Sequence, residues 1–204
     1  MSILIYAESA EGKIKKVAFE LASYAKKVAS SMGTTVTAVT INNADNSALA
    51  TYGVDKVVTV SNDKLNNFSA KAYADVIAQV AKKEGAQIVL VSSSTDSLYV
   101  APLVAVALEA GYASNVVALP ESTSPFQVKR TAFSNKAFNL TEINTPVKVL
   151  GIAKNSFGLI ENASSLTEES FTPSLNDADF GIKVQSVEKV SGKVTIADAE
   201  IVVS

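Results

Sequence analysis

Two short segments carry the side chains most capable of chemistry. Glu8-Ser9-Ala10-Glu11-Gly12 follows an apolar run and presents two carboxylates close together. Paired carboxylates suit general acid–base work, and they would repel a phosphate. The same residues also read as a solvated loop leading into a helix. Ser92-Ser93-Ser94-Thr95-Asp96-Ser97 follows another apolar run and precedes a helical one. Hydroxyls and free N–H groups at a helix start can hold an anion, which makes Ser92, Ser93, Ser94 and Thr95 candidate anion ligands. Such residues are also favoured helix N-caps, so simple capping is the competing reading.

The missing residue types narrow the chemistry. The 204 residues include no histidine and no cysteine. Ser-His-Asp and Cys-His nucleophile pairs are therefore excluded, as is a thiolate or imidazole zinc site. No metal site is expected. Any chemistry must use carboxylates, Lys, Tyr or Ser/Thr, or belong to a bound cofactor. No Gly-rich phosphate loop follows any apolar run, and the chain holds only 9 glycines. A formal net charge of -2 argues against a nucleic-acid partner.

Alternating elements must position these segments. Ser2 to Ala7 reads as a strand. Lys13 to Met32 reads as an amphipathic helix with Ile14, Val17, Ala18, Leu21, Ala22, Ala25 and Ala29 inward, and Lys15, Lys16, Glu20, Lys26 and Lys27 outward. Gly33 is expected to close it at the C′ position. Thr34 to Ile41 and Lys56 to Val60 read as strands around a short helix from Asn46 to Tyr52. A helix from Ser69 to Glu84 and a buried strand from Ile88 to Val91 follow. A helix from Ser97 to Ala110 is expected to stop at Gly111. This alternation predicts a doubly wound, mostly parallel α/β sheet with right-handed crossovers.

Beyond Gly111 the pattern changes. Val116–Leu119, Phe126–Thr131, Ala137–Ile143 and Val147–Ile152 read as strands joined by short turns, which predicts an antiparallel β extension. Residues 1–154 then form the α/β domain, and polar residues 155–180 a mobile loop. Residues 181–204 form a closing strand and the start of a link to something further. Leu98 to Leu108 leaves no polar face, so the helix is expected to be buried all round, under a second layer or a partner. Pro102 places the start of that helix close by. The longest apolar stretch is about ten residues, short of the roughly 20 needed to span a bilayer. With no leader pattern at the start, a soluble, cytoplasmic protein is expected.

Together these residues resemble the N-terminal domain of the electron transfer flavoprotein alpha subunit. Ile3-Leu4-Ile5-Tyr6-Ala7-Glu8 is similar to that family's first strand. Ser92-Ser93-Ser94, then Leu98 and Ala101-Pro102-Leu103-Val104-Ala105, resembles its serine and alanine-proline-arginine-valine-alanine segment. Arg130-Thr131-Ala132-Phe133 with Asn135-Lys136-Ala137 resembles an arginine-led hairpin. Val147-Lys148-Val149-Leu150 and Ala199-Glu200-Ile201-Val202-Val203-Ser204 fit the strands that follow. Leu103 stands where the family has arginine, and Ser134-Asn135 replaces an alanine-glycine pair.

The resemblance implies a Rossmann-like fold, of the adenine nucleotide alpha hydrolase-like type, in a non-catalytic domain of a heterodimeric electron carrier. It implies FAD in the complete protein and AMP in a beta-subunit partner. Electrons would come from acyl-CoA or other dehydrogenases, as in fatty acid beta-oxidation. In the family the stretch matching Ile201 to Ser204 leads into the flavin domain, so the chain reads as a piece cut at a domain boundary. FAD is not expected on this piece, and no cofactor-binding residue carries over. The alternative is a stand-alone nucleotide-binding or sensor domain of the universal-stress-like fold, against which the missing Gly-x-x-Gly loop near Ser92 to Tyr99 counts. A small-molecule hydrolase working through carboxylates is the weakest reading.

Overall fold

Residues apolar on both sides of an extended chain end up inside a parallel sheet, and here they do so with strict alternation. In β1 (Ser2–Tyr6), Ile3 and Ile5 enter one core while Leu4 and Tyr6 enter another on the opposite face. The computed structural model describes residues 2–10, 12–182, 185–186, 199, 201 and 203. Along the chain follow β2 (Ser9–Ala10), β3 (Lys13–Ile14), α1 (Lys16–Met32), β4 (Thr35–Ile41), β5 (Lys56–Val60), α2 (Ala70–Lys83) and β6 (Ala86–Ser92). Then come α3 (Thr95–Ala107), β7 (Gly111–Val116), β8 (Ser122–Thr123), β9 (Phe126–Ala132), β10 (Ala137–Glu142), β11 (Lys148–Ile152) and β12 (Thr167–Ser170).

Among the described residues one sheet runs in the order β10-β9-β7-β11-β6-β1-β4-β5-β12, with β8 paired to β9. From β12 to β7 all neighbours are parallel. The strands β8, β9 and β10 are antiparallel. The expected doubly wound sheet and its antiparallel extension are both present. α1 covers the face carrying Ile3 and Ile5, and α2 with α3 covers the other. Gly33 caps α1 with φ 65° and its N–H on the Ala29 carbonyl, as its position predicts.

Several expectations need correction. Lys13 and Ile14 are not helical; they pair with Ser9 and Ala10 in a small hairpin, and α1 begins at Lys16. Gly111 does not stop α3. The helix ends at Ala107, Glu109 turns the chain with φ 51°, and Gly111 opens β7. A side chain at Gly111 would sit 2.5 Å from Ile143 Cγ2, so close packing explains this glycine. The strand read at Val116–Leu119 is β7, placed earlier. β11 is not part of the antiparallel extension; it inserts in parallel between β6 and β7. Its run Val149-Leu150-Gly151-Ile152 is apolar on both faces, which suits a central strand.

Residues 155–180, read as a mobile loop, hold a strand and backbone contacts to the rest of the domain. Their expected lack of structure is corrected by β12, which adds in parallel to β5, and by bonds from Asn162 and Ser164 amides to the carbonyls of Thr51 and Ala50. An edge strand held through its backbone needs no apolar alternation, which is why Thr167-Glu168-Glu169-Ser170 shows none. The closing strand expected within 181–204 lies largely outside the described residues.

α3 also departs from its expected burial. Val100, Ala101, Val104 and Ala105 pack inward, while Leu98, Tyr99, Leu103 and Val106 are exposed, Val106 at 78%. Pro102 sits in the helix interior rather than near its start. With no N–H on Pro102, the Leu98 carbonyl loses its helical donor there, at a residue that is itself half exposed.

The central position of β11 carries a testable consequence. Leu150 is 1% exposed. Leu150→Ala should lower unfolding free energy by about 2–5 kcal/mol in urea titration, the usual cost of such a cavity. A loss well under 1 kcal/mol would mean that β11 is not a core strand.

Candidate functional site

The sheet reverses direction at β1. The chain moves from β1 to β4 on one side and later returns to β6 on the other. Crevices at such a switch point, beyond the carboxyl ends of the strands, are where open α/β sheets hold ligands. A cleft of about 800 Å³ opens there, with Glu8, Lys15, Glu20, Ser94, Asp96 and Lys154 among its walls.

Glu8, the second residue after β1, is 2% exposed and therefore no solvated loop residue. Its Oε1 accepts hydrogen bonds from Ser94 Oγ and Ser97 Oγ, both at 2.7 Å, and from Ser92 Oγ. Its Oε2 meets Lys15 Nζ at 3.0 Å. Burial pushes the Glu8 carboxyl up. The Ser92 hydroxyl, Lys15, and the Ser94 and Ser97 hydroxyls outweigh that and hold it below its ordinary value. The group is thus a carboxylate, compensated by three donors and one cation.

The serines work in both directions. Ser94 caps α3 by accepting from the Ser97 amide at 3.1 Å while donating to Glu8. Ser92 Oγ accepts from the Ser94 amide at 3.0 Å and likewise donates to Glu8. The capping role is present, and of the four anion-ligand candidates Ser92 and Ser94 point to Glu8. The segment caps a helix, and its hydroxyls converge on an anion, but the anion is the protein's own carboxylate. Ser93 is engaged elsewhere, accepting the Lys154 amide at 3.1 Å, and Thr95 is exposed in the first turn of α3. Glu11 lies outside the described residues, so its pairing with Glu8 does too.

Glu20 is a correction and an omission together. Read as outward-facing, it is 5% exposed. It accepts from the amides of Asn155 at 2.9 Å, Phe157 at 2.8 Å and Gly158 at 3.1 Å. This fixes the chain after β11 along the rim of the cleft. The signal was present in the sequence: Glu20 lies three residues after Val17 and four before Tyr24, on the inward side of the stripe. Among the described residues no cluster of three His, Cys, Asp or Glu side chains could hold a metal, and no helix is long and apolar enough to cross a membrane.

Comparison with known proteins identifies the lineage. Residues 3–176 match the family model of the electron transfer flavoprotein domain, and the chain belongs to that family. It is 28% identical to the electron transfer flavoprotein subunit alpha of Thermoanaerobacterium thermosaccharolyticum, over 99% of this chain and 64% of that protein. The subunit alpha of Bacillus subtilis is 26% identical, over 99% and 63%. A lactate dehydrogenase (NAD(+),ferredoxin) subunit of Acetobacterium woodii is 25% identical, over 99% and 50%. The chain spans less than two-thirds of the length of these relatives and corresponds to their N-terminal part.

The Glu8 cluster makes a prediction about stability. Glu8→Ala strands three buried hydroxyls and Lys15, and should cost about 3 kcal/mol of unfolding free energy. The pH dependence has a definite sign. The folded-state pKa is depressed, so the contribution of Glu8 is complete above about pH 4.5, the ordinary value, and is lost as pH falls through the lower folded value. The stability gap between wild type and Glu8→Gln in urea titrations should therefore narrow progressively as pH falls below the ordinary value. A gap that stays constant from pH 7 to pH 3 would contradict this assignment.

Proposed function

We propose that this member of the electron transfer flavoprotein family is the partner-docking, cofactor-free domain of an alpha subunit. In this reading residues 1–154 form the unit that pairs with a beta subunit, and residues 181–204 lead towards a flavin domain. FAD resides in that further domain and AMP in the beta subunit. The assembled carrier takes electrons from acyl-CoA or other dehydrogenases to a downstream acceptor, in the cytoplasm. The redox chemistry is the flavin's, and this domain supplies position. The lactate dehydrogenase subunit among the relatives favours leaving the donor open beyond the dehydrogenase class.

The observation that carries this reading is the filled anion site. Where a nucleotide-binding domain would present hydroxyls and a helix start to a phosphate, Ser92, Ser94 and Ser97 hold Glu8. A phosphate entering there would meet a buried carboxylate at close range, and like charges in a low dielectric repel strongly. This disfavours the stand-alone nucleotide sensor.

An open apolar face supports docking. Phe126 and Val128 of β9 enter the core beneath α1, so Gln127, Lys129 and Thr131 lie on the opposite face. Phe138 and Leu140 of β10 stand directly opposite Thr131 and Lys129, and so share that face. They are 65% and 55% exposed. α3, whose outer stripe is Tyr99, Leu103 and Val106, packs over β11 and β7, next to the open strands. Apolar surface gathered this way usually marks an interface.

Two measurements test the reading. The chain mixed with excess FAD, then with ATP or AMP, should after desalting show no flavin absorption between about 350 and 500 nm and no nucleotide-dependent rise in melting temperature. Leu140→Asp and Val106→Asp should each weaken co-purification with a beta subunit at least tenfold while circular dichroism stays unchanged. A stoichiometric flavin, a saturable nucleotide shift, or undiminished pairing in both folded variants would overturn it.

A further inference from the structure

Among the described residues β10 forms one end of the sheet and is bonded on one side only, to β9. Which of its backbone groups face outward follows from that pairing. The Ile143 amide donates to the Phe126 carbonyl at 2.9 Å, one register step beyond the β9–β10 ladder. In an antiparallel pair every second residue exchanges bonds with its opposite, so Ala137, Asn139 and Thr141 turn their N–H and C=O groups towards β9. The alternate residues of β9 agree: the carbonyls of Gln127 and Lys129 accept from Glu121 and Val117 on the other side. The N–H and C=O groups of Phe138, Leu140 and Glu142 therefore point away from the sheet.

Proteins usually blunt such an edge with proline, a bulge or charge along the strand. β10 contains no proline, its only charge stands at its end, and its pairing with β9 runs without a register shift. The two charges that flank its centre, Lys136 and Glu142, are of opposite sign, and each lies three residues from Asn139. Phe138 and Leu140 lie one residue to either side of Asn139. A strand arranged in this way is complementary to itself. Set antiparallel about a twofold axis at Asn139, Phe138 faces Leu140 of a second copy, and Lys136 faces its Glu142. All four side chains are exposed, and alternation puts them on one face.

We propose that β10 is the contact edge of a twofold homodimer, in which the sheets of two copies join into one. Phe138 and Leu140 exchange main-chain hydrogen bonds with Leu140 and Phe138 of the second copy, and two Lys136–Glu142 pairs close the ends of the contact. Apolar and opposite-charge pairs across strands each stabilise such a ladder, and the symmetry of the contact presents each pair twice. A single strand pair buries less than the roughly 1,200–2,000 Å² of a standard interface, so the dimer is weak and forms at high concentration. The pairing needs no beta subunit and stands or falls independently of one.

Sedimentation equilibrium of the 204-residue chain, run from about 10 µM to about 1 mM, tests it. The average mass should rise with concentration from 21.3 kDa towards twice that value and no further. Lys136→Glu and Glu142→Lys each set like charges against one another across the twofold axis, and each should weaken dimerisation roughly tenfold. The doubly substituted chain restores opposite pairs, as does an equimolar mixture of the two singly substituted chains. Both should dimerise as the wild type does. Circular dichroism should show every variant folded, since both positions are exposed. The proposal is overturned by a mass that stays at 21.3 kDa throughout, or by growth beyond the dimer. It is equally overturned if a folded single variant dimerises undiminished, or if the double variant stays as weak as the singles.

Discussion

A carboxylate buried at the end of the first strand sets the terms for the centre of this molecule. Removing Glu8 from water carries a large desolvation cost, and only a fixed set of donors offsets it. Three serines from the β6–α3 connection and Lys15 from the residue before α1 supply that set. The compensation works only if β1, β6, α1 and α3 keep their places relative to one another. A charge at the switch point thus ties together the elements of both layers where a parallel sheet otherwise leaves a crevice.

The same logic recurs along the rim. Glu20 reaches from α1 to three consecutive-region amides after β11, and Ser23 receives the Ile160 amide at 3.0 Å. On the far side Ser69 donates to the Asp179 carbonyl at 2.6 Å, and Asn176 and Asp179 cap each other's backbone. The segment from 155 to 180 is therefore held both by hydrogen bonds and by apolar anchors, Phe157 and Leu166 against one core and Phe171, Leu175 and Phe180 against the other. It protects one edge of the sheet. At the opposite edge, β10 keeps Phe138 and Leu140 in the open.

The hairpin from β9 to β10 turns through three residues in the left-handed region. Phe133, Ser134 and Asn135 all adopt positive φ, at 49°, 51° and 65°. A glycine would accept such a backbone without strain; asparagine accepts it better than most other residues.

Patterns local to a few residues were legible in the sequence. Runs apolar on both faces, as in Ile3-Leu4-Ile5 and Ile88-Val89-Leu90-Val91, have one stable home, a central parallel strand, and glycine after Met32 has one use, the helix cap. The absence of histidine and cysteine removed whole classes of chemistry before any fold was known. Whatever depended on distant partners was not legible. Glu8 reads as a loop acid because the serines that bury it are 84 to 89 residues away. For Glu20 the helical spacing pointed inward, but the amides that hold it lie 135 to 138 residues off and left no local mark. β11 is separated from its neighbour β6 by α3 and four further strands, and strand order is set by tertiary pairing rather than by local pattern. Period and composition fix which residues avoid water. Only the assembled fold decides which buried charge meets which donor, because that compensation is made across the sheet and not along the chain.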